Sequence, residues 1–350
     1  MDWWSTLSLM RILVYVGYQS QPFNGSTVSS LGLGGTEQAC TYLANELAKL
    51  GHDVQVSGQV IKETNKNVTW NDEISNTHFD VVIAASYIHY IPELAERNVT
   101  YNKSYFWVHN EDFFPWWKGE ALPENGALFL ADSRLTGIIC LTEWHANQFK
   151  EANNIIKPIH IIGNGIDPST FTAAKKNHNH FIYSSAPERG LESLLKCWPA
   201  IKSFWPTASL KVFSPGYSRS KDIIRRYSKV KGVQFYGSVD QITLHRHMEE
   251  SQFWLHPTDY KETYCITALE MQMCGVVPIT SDLAALNETV GERGFLVSHE
   301  TNGLVPYINI VSNLMHSKEL VKTYSDKGRA WAKCQTWRMR ALEWNKLIQS

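Results

Sequence analysis

Short apolar runs rich in β-branched residues alternate with helix-length stretches, twice over, along this 350-residue chain. No other feature limits the fold as much, because an apolar run buried on both faces reads as a parallel strand, and parallel strands need helical crossovers between them. The first such run is Arg11-Ile-Leu-Val-Tyr-Val-Gly17. A glycine-rich turn at 31–35 then opens a helix whose stripe is Ala39, Leu43, Leu47 and Leu50, closed by Gly51. Further strands are expected at 52–56, 80–85, 104–109, 137–141 and 157–162. The polar segment Lys175-Lys-Asn-His-Asn-His180 reads as a linker, after which strands are expected at 181–184, 210–214, 233–236, 253–256, 276–280 and 294–297. This predicts an α/β protein of two doubly wound, Rossmann-like parallel-sheet domains, residues 1–174 and 175–330. A final helical region, 331–350, carries Trp331, Trp337 and Trp344 to pack across the domain boundary.

Charge narrows the function. With 33 basic against 34 acidic side chains the formal net charge is -1, so there is no broad cationic field for a nucleic-acid backbone. Small-molecule chemistry is the expectation, with ligands beyond the carboxyl ends of the strands. The six cysteines lack any CxxC pair and read as reduced core residues. No apolar run is long enough to span a bilayer, and Met1 to Met10 lacks a signal-peptide pattern, so a cytoplasmic protein is expected. A peripheral membrane association through Trp3 and Trp4 is the lesser reading. Aromatic residues reach 12%, including 13 Trp, a supply that suits large cores and sugar-facing surfaces alike.

Several motifs bear chemistry. Gly32-Leu-Gly34-Gly35-Thr36-Glu37 resembles a phosphate-binding turn, but it lies well past the first strand, and the second strand ends in Val56-Ser57-Gly58-Gln59 with no carboxylate for a ribose. A simple helix-start turn is the stronger reading of that motif alone. Glu262 and Glu270 lie eight residues apart, about 12 Å if the whole span were helical. At that distance they suit opposite ends of an extended ligand, with Glu262 in a loop and the amides of Thr263, Tyr264 and Cys265 at a helix start facing an anion. Two exposed helix carboxylates are the plainer alternative. The pairs His178/His180 and His245/His247 lack further ligands at metal-site spacing and read as surface residues.

Taken in order, Gly34-Gly-Thr-Glu37, Asn164-Gly-Ile-Asp167, Pro187-Glu-Arg-Gly190, the Glu262/Glu270 pair, Gly275-Val-Val-Pro278 and Glu288 resemble the retaining glycosyltransferases of family 4. That resemblance implies the GT-B fold and transfer of a hexosyl group from a UDP- or GDP-sugar to a hydroxyl of a glycan or glycoconjugate. It implies that Glu270 accepts the ribose hydroxyls, that Glu262 meets the donor sugar and that Arg189 neutralises the departing diphosphate. Donor contacts from Gly35, Lys261, Thr263, Tyr264 and Cys265, and a catalytic position for His109 beside the reacting carbon, follow in the same way. Gly34, Trp116 and Trp117 fall on the acceptor side. With no carboxylate nucleophile in the matched motifs, a front-face mechanism is implied, closed by a hinge near 168–180. No Asp-x-Asp triplet occurs, so neither a metal nor a separate cofactor is expected.

One position departs from the family. Ser184 stands where a first diphosphate cation is usual, and Lys261, Arg219 and Lys221 are the candidates to replace it. Two other readings stay open: a sugar-nucleotide epimerase of the same fold, and a nucleotide-sugar-binding protein without turnover.

Overall fold

The computed structural model describes residues 8–17, 21–27, 33–65, 68–111, 116–117, 120–121, 126–214, 218–300 and 303–350. The described residues divide into two compact units, one made of those before Ile166 together with Trp337–Ser350, and the other of Ile166–Thr336.

In the first unit the strands are β1 (Arg11–Gly17), β2 (Asp53–Gly58), β3 (Glu63–Asn65), β4 (Val68–Trp70), β5 (His78–Ala85), β6 (Thr100–Trp107), β9 (Gly137–Cys140) and β10 (Ile159–Ile161), with the small pair β7 (Trp116–Trp117) and β8 (Glu120–Ala121) between them in sequence. The large sheet runs β10-β9-β6-β5-β1-β2-β4-β3, parallel except where β3 meets β4. Its order reverses between β1 and β5. The helix Gly35–Lys49 starts one residue after Gly34, where a Cβ would stand 2.5 Å from a Glu37 carboxylate oxygen, so that a side chain there would displace the Glu37 carboxylate from this helix start.

The second unit carries β11 (Asn177–Ser184), β12 (Ser209–Phe213), β13 (Val233–Phe235), β14 (Ser251–His256), β15 (Val277–Ser281) and β16 (Phe295–Val297). All pair in parallel, in the order β13-β12-β11-β14-β15-β16. This is the doubly wound arrangement, and its reversal lies between β11 and β14. Phe181, Leu210, Phe253 and Val277 supply one strand face of its core, under Leu194, Trp198 and Val311 from the covering helices.

Three expectations need correction. The polar stretch ending at His180 is not a free linker, because Asn177 pairs with Ser251 and His180 with Ser209 inside β11; the units separate at 165/166, not at 174/175. The helical end is two helices, Lys318–Ala332 and Trp337–Gln349, so 331–350 is not one element. Trp331 lies under the Arg293 guanidinium in the second unit, whereas Trp337 stacks on Tyr42 and Trp344 meets Tyr105 and Trp107 edge-on in the first. That last helix completes the first unit's core, with Asn345 bonded to His52 and the Ile348 carbonyl to Lys103. Finally, five cysteines are buried and free, but Cys334 is exposed.

Candidate functional site

The reversal of strand order in the second unit opens a crevice at the carboxyl ends of β11 and β14, and two of the expected residues meet there. After β11 the chain turns through 185–190; the Tyr183 hydroxyl donates to the Ala186 carbonyl at 2.7 Å and the Arg189 amide to the same carbonyl at 3.0 Å. Gly190 then takes φ +101°, and a Cβ built on it would stand 2.4 Å from the Pro257 carbonyl oxygen. This close approach lays the turn on the loop that follows β14.

Across that contact Arg189 Nη1 donates to both carboxylate oxygens of Glu262, at 2.8 and 3.0 Å. The guanidinium also lies 4.3 Å from the centre of the Tyr260 ring. Glu262 is held from behind, its carbonyl accepting from the Ala285 amide at 3.1 Å. Burial raises the Glu262 carboxyl above its usual range, and Arg189 opposes that rise. Burial works against the charge on Arg189 as well, but Glu262, Tyr260 and Cys265 outweigh it and hold the guanidinium protonated. The side chain of Arg189 remains 34% exposed, so the cation is partly open to a ligand while its counter-ion is enclosed.

Glu270 occupies a separate setting. It lies buried in the helix Ile266–Met273, where Oε1 accepts from His245 Nε2 at 3.1 Å and from Gln241 at 3.5 Å. A carboxylate oxygen accepts only, so Nε2 is the protonated ring nitrogen. The His245 ring is stacked on Phe171, with centres 4.2 Å apart and planes 8° from parallel. His245 is thus a buried support for Glu270 and not the surface residue its alternate spacing with His247 suggests. The missing signal is tertiary: nothing local places Phe171 under it.

Of the other expected donor-side residues, Lys261 is exposed, Thr263 half-buried and Tyr264 and Cys265 buried. Cys265 precedes the helix in a left-handed conformation, φ +67°, which is costly for a residue with a side chain and concentrates at sites where backbone groups must be aimed. Ser184 ends β11 and is buried. Lys221 is exposed on the helix Ser218–Tyr227, and the side chain of Arg219 lies outside the described residues.

On the first unit, Gly34 and Gly35 are exposed at the start of their helix. His109 follows β6, buried, with its ring centre 4.3 Å from that of Trp107. Burial and, secondarily, His145 pull its pKa down to about 3, so the ring is neutral. No sequence motif singles out His145. Its Nδ1 accepts from the Leu141 amide, which leaves Nε2 to donate to the Asn110 carbonyl at 2.9 Å, fixing the chain just beyond His109. Trp116 and Trp117 form the strand that pairs with Glu120–Ala121, and their side chains lie outside the described residues.

These buried rings give the protein an acid limit. Burial holds His145 at about 4 and His256 at about 3, as it does His109. The unfolded chain binds protons near pH 6.5 and the folded rings do not, so stability is full above 6.5 and falls as pH drops through the interval down to 3 or 4. At pH 5 each histidine is expected to cost about 2 kcal/mol. Thermal unfolding at pH 7.5, 6 and 5 checks this: the midpoint is expected to fall steadily, and a flat profile contradicts neutral buried rings.

Comparison with known proteins bears on the same unit. Residues 179–311 match the family model described as glycosyl transferases group 1. That stretch contains Arg189, Glu262 and Glu270. A phosphatidyl-myo-inositol mannosyltransferase from Propionibacterium freudenreichii subsp. shermanii is 24% identical over 154 residues, 41% of this chain and 38% of that one. The match therefore spans well under half of that relative. Among solved structures, sucrose-phosphate synthase from Thermosynechococcus elongatus aligns with a TM-score of 0.72 at 14% identity, covering 97% of this chain and 98% of that one. The pneumococcal O-GlcNAc transferase GtfA, in complex with UDP and GlcNAc, aligns with a TM-score of 0.71 at 12% identity, covering 97% and 99%. The chain has the GT-B fold, two Rossmann-like parallel-sheet domains. Among the described residues no helix is long and apolar enough to cross a membrane.

Proposed function

We propose that this chain is a retaining glycosyltransferase that moves a hexosyl group from a UDP- or GDP-sugar to a hydroxyl of a glycan or glycoconjugate. The observation that carries the reading is the Arg189/Glu262 pair at the switch point of the second sheet, inside the stretch matched to glycosyl transferases group 1. A diphosphate arriving there meets a preformed, partly exposed guanidinium, and charge building on the leaving group is stabilised without reorganisation. Glu262, released from Arg189 to that extent, accepts hydrogen bonds from donor-sugar hydroxyls. Glu270, oriented by His245, takes the ribose hydroxyls.

In this reading the second unit holds the donor and the first presents the acceptor near Gly34, Gly35 and His109. A neutral His109 suits a hydrogen bond to a sugar hydroxyl, not a second positive charge. The leaving diphosphate oxygen helps deprotonate the acceptor, and no metal takes part. The mannosyltransferase relative and the neighbour bound to UDP support a nucleotide-sugar donor. A cytoplasmic location completes the proposal.

A thermal-shift panel of UDP, GDP and their sugars tests it. One nucleotide series at a hundred times its Kd is expected to add about 2.7 kcal/mol to stability. Glu270→Gln is expected to remove most of that gain, because an amide cannot accept both hydroxyls and His245 as a carboxylate does. Absence of stabilisation by every nucleoside diphosphate contradicts the donor assignment.

A further inference from the structure

One sizeable cavity among the described residues lies away from the crevice of Arg189 and Glu262. It lies at the opposite edge of the same sheet, has a volume of about 930 Å³ and is lined entirely from the second unit. Lys176, His178, Gln252 and Phe253 mark it as the amino-terminal edge of β11 and β14. Seven residue steps along β11 at about 3.3 Å put it roughly 23 Å from Ser184. It is distinct from the donor crevice and within the size range of small-molecule sites.

Its walls are apolar, built from Phe171, Trp205, Phe253, Leu314 and Val321. The polar groups among them are already bonded to the protein. Trp205 Nε1 donates to Asn179 Oδ1 at 3.1 Å, His178 Nδ1 pairs with Gln252 Oε1 at 2.8 Å, and Ser325 donates to the Gly275 carbonyl at 2.6 Å. A sugar or an extended peptide entering there leaves its own donors and acceptors unmatched. The charged lining is one-sided. Lys176, Lys318, Lys322, Arg329 and Lys333 face a single carboxylate, Glu249. That carboxylate is occupied by the 172–174 loop, accepting from the Thr172 hydroxyl at 2.7 Å and from the amides of Ala173 and Ala174 at 2.6 and 3.1 Å. Lys322 pairs with Asp326, Arg329 reaches the Cys274 carbonyl at 3.3 Å and Lys176 the Ser251 carbonyl at 2.6 Å. Among the described residues Lys318 and Lys333 have no ion pair, and both are exposed.

We infer that this cavity binds an anionic amphiphile, an alkyl or acyl chain lying against Phe171, Trp205 and Val321 with its phosphate or carboxylate head at the lysines of the rim. Apolar burial holds the chain, and the cationic rim selects the head over a neutral one.

The full chain is titrated with dodecyl phosphate below its micelle concentration, beside inorganic phosphate, dodecyl maltoside, and vesicles of phosphatidylcholine alone or with phosphatidylglycerol. Dodecyl phosphate is expected to raise the unfolding midpoint, inorganic phosphate to leave it unchanged, and dodecyl maltoside to act at least about tenfold more weakly. Bromododecanoate is expected to quench fluorescence, with that part of the quenching lost in Trp205→Phe. Lys318→Glu with Lys333→Glu, both on the surface, is expected to weaken dodecyl phosphate at least about tenfold and to leave the unliganded midpoint unchanged. Val321→Trp, which sets an indole against the apolar wall where the chain lies, is expected to weaken binding of dodecyl phosphate. Should it fail to fold, the lysine pair and the Trp205 quench still decide. Flotation with phosphatidylglycerol vesicles makes the source a bilayer lipid; binding of the dissolved amphiphile without flotation makes it a free one. No binding of dodecyl phosphate, or binding indifferent to both the lysine reversal and Trp205→Phe, overturns the inference.

Discussion

Arg189→Ala is expected to lower sugar transfer by about two to three orders of magnitude, the loss found when one preformed electrostatic partner of a developing charge is removed. The structure adds a second effect. Glu262 is buried and its counter-ion is Arg189, so the single substitution leaves a carboxylate that burial already pushes toward its neutral form. Removing one partner of an enclosed pair costs on the order of 3 kcal/mol, reduced here because the Arg189 side chain is a third exposed. The combination Arg189→Ala with Glu262→Gln is therefore expected to regain the stability lost by the single variant and none of the activity. Urea unfolding together with steady-state kinetics separates the two effects. Recovery of activity in the double variant contradicts a direct role for the guanidinium, and equal stability of single and double variants contradicts the pairing.

Gly190→Ala has the next largest expected effect, and it acts through the backbone. At φ +101° a side chain is strained, and the added Cβ meets the carbonyl oxygen of Pro257 at 2.4 Å, its carbonyl carbon at 3.0 Å and Thr258 Cα at 3.2 Å, all main-chain atoms. Gly237 provides the control, since it has φ +73° with nothing within 4 Å of its Cβ position. Gly237→Ala is expected to cost the conformational preference alone, about 1 kcal/mol. Gly190→Ala adds the displacement of the turn from the loop after β14, for a total of about 3 kcal/mol or more. Because that contact brings Arg189 to Glu262, transfer is expected to fall with it. Equal losses in the two glycine variants, with activity retained, contradict the reading of Gly190 as the close-packing point of the site.

Much of this was legible from residue types alone, for identifiable reasons. β1 and β14 are buried along most of their length, so they survive in sequence as unbroken apolar runs. The amino end of β11 is half-exposed and polar, and it disguised itself as a linker. The break between the last two helices was hidden because both segments keep a helical pattern while packing in different units. At the site, Arg189, Glu262 and Glu270 stood out through the order of their motifs. Their pairing did not, because Arg189 and Glu262 are 73 positions apart and meet only when Gly190 seats on Pro257. His245 was misjudged for a related reason, its burial depending on the stack with Phe171 and the bond to Glu270. The aromatic excess is mainly structural: Trp70, Trp107, Trp198, Trp254 and Trp344 are fully buried.

The central claim is that a nucleotide-sugar donor is cleaved at Arg189 and its sugar passed to a hydroxyl. Product analysis by NMR and mass spectrometry tests it most directly, using the full chain, the nucleotide sugar that stabilises it and a panel of hydroxyl acceptors. The account predicts nucleoside diphosphate and glycoside in equal amounts, the glycoside keeping the anomeric configuration of the donor. Conversion of the donor to its epimer without any acceptor, or donor binding with no turnover toward any acceptor or water, contradicts it.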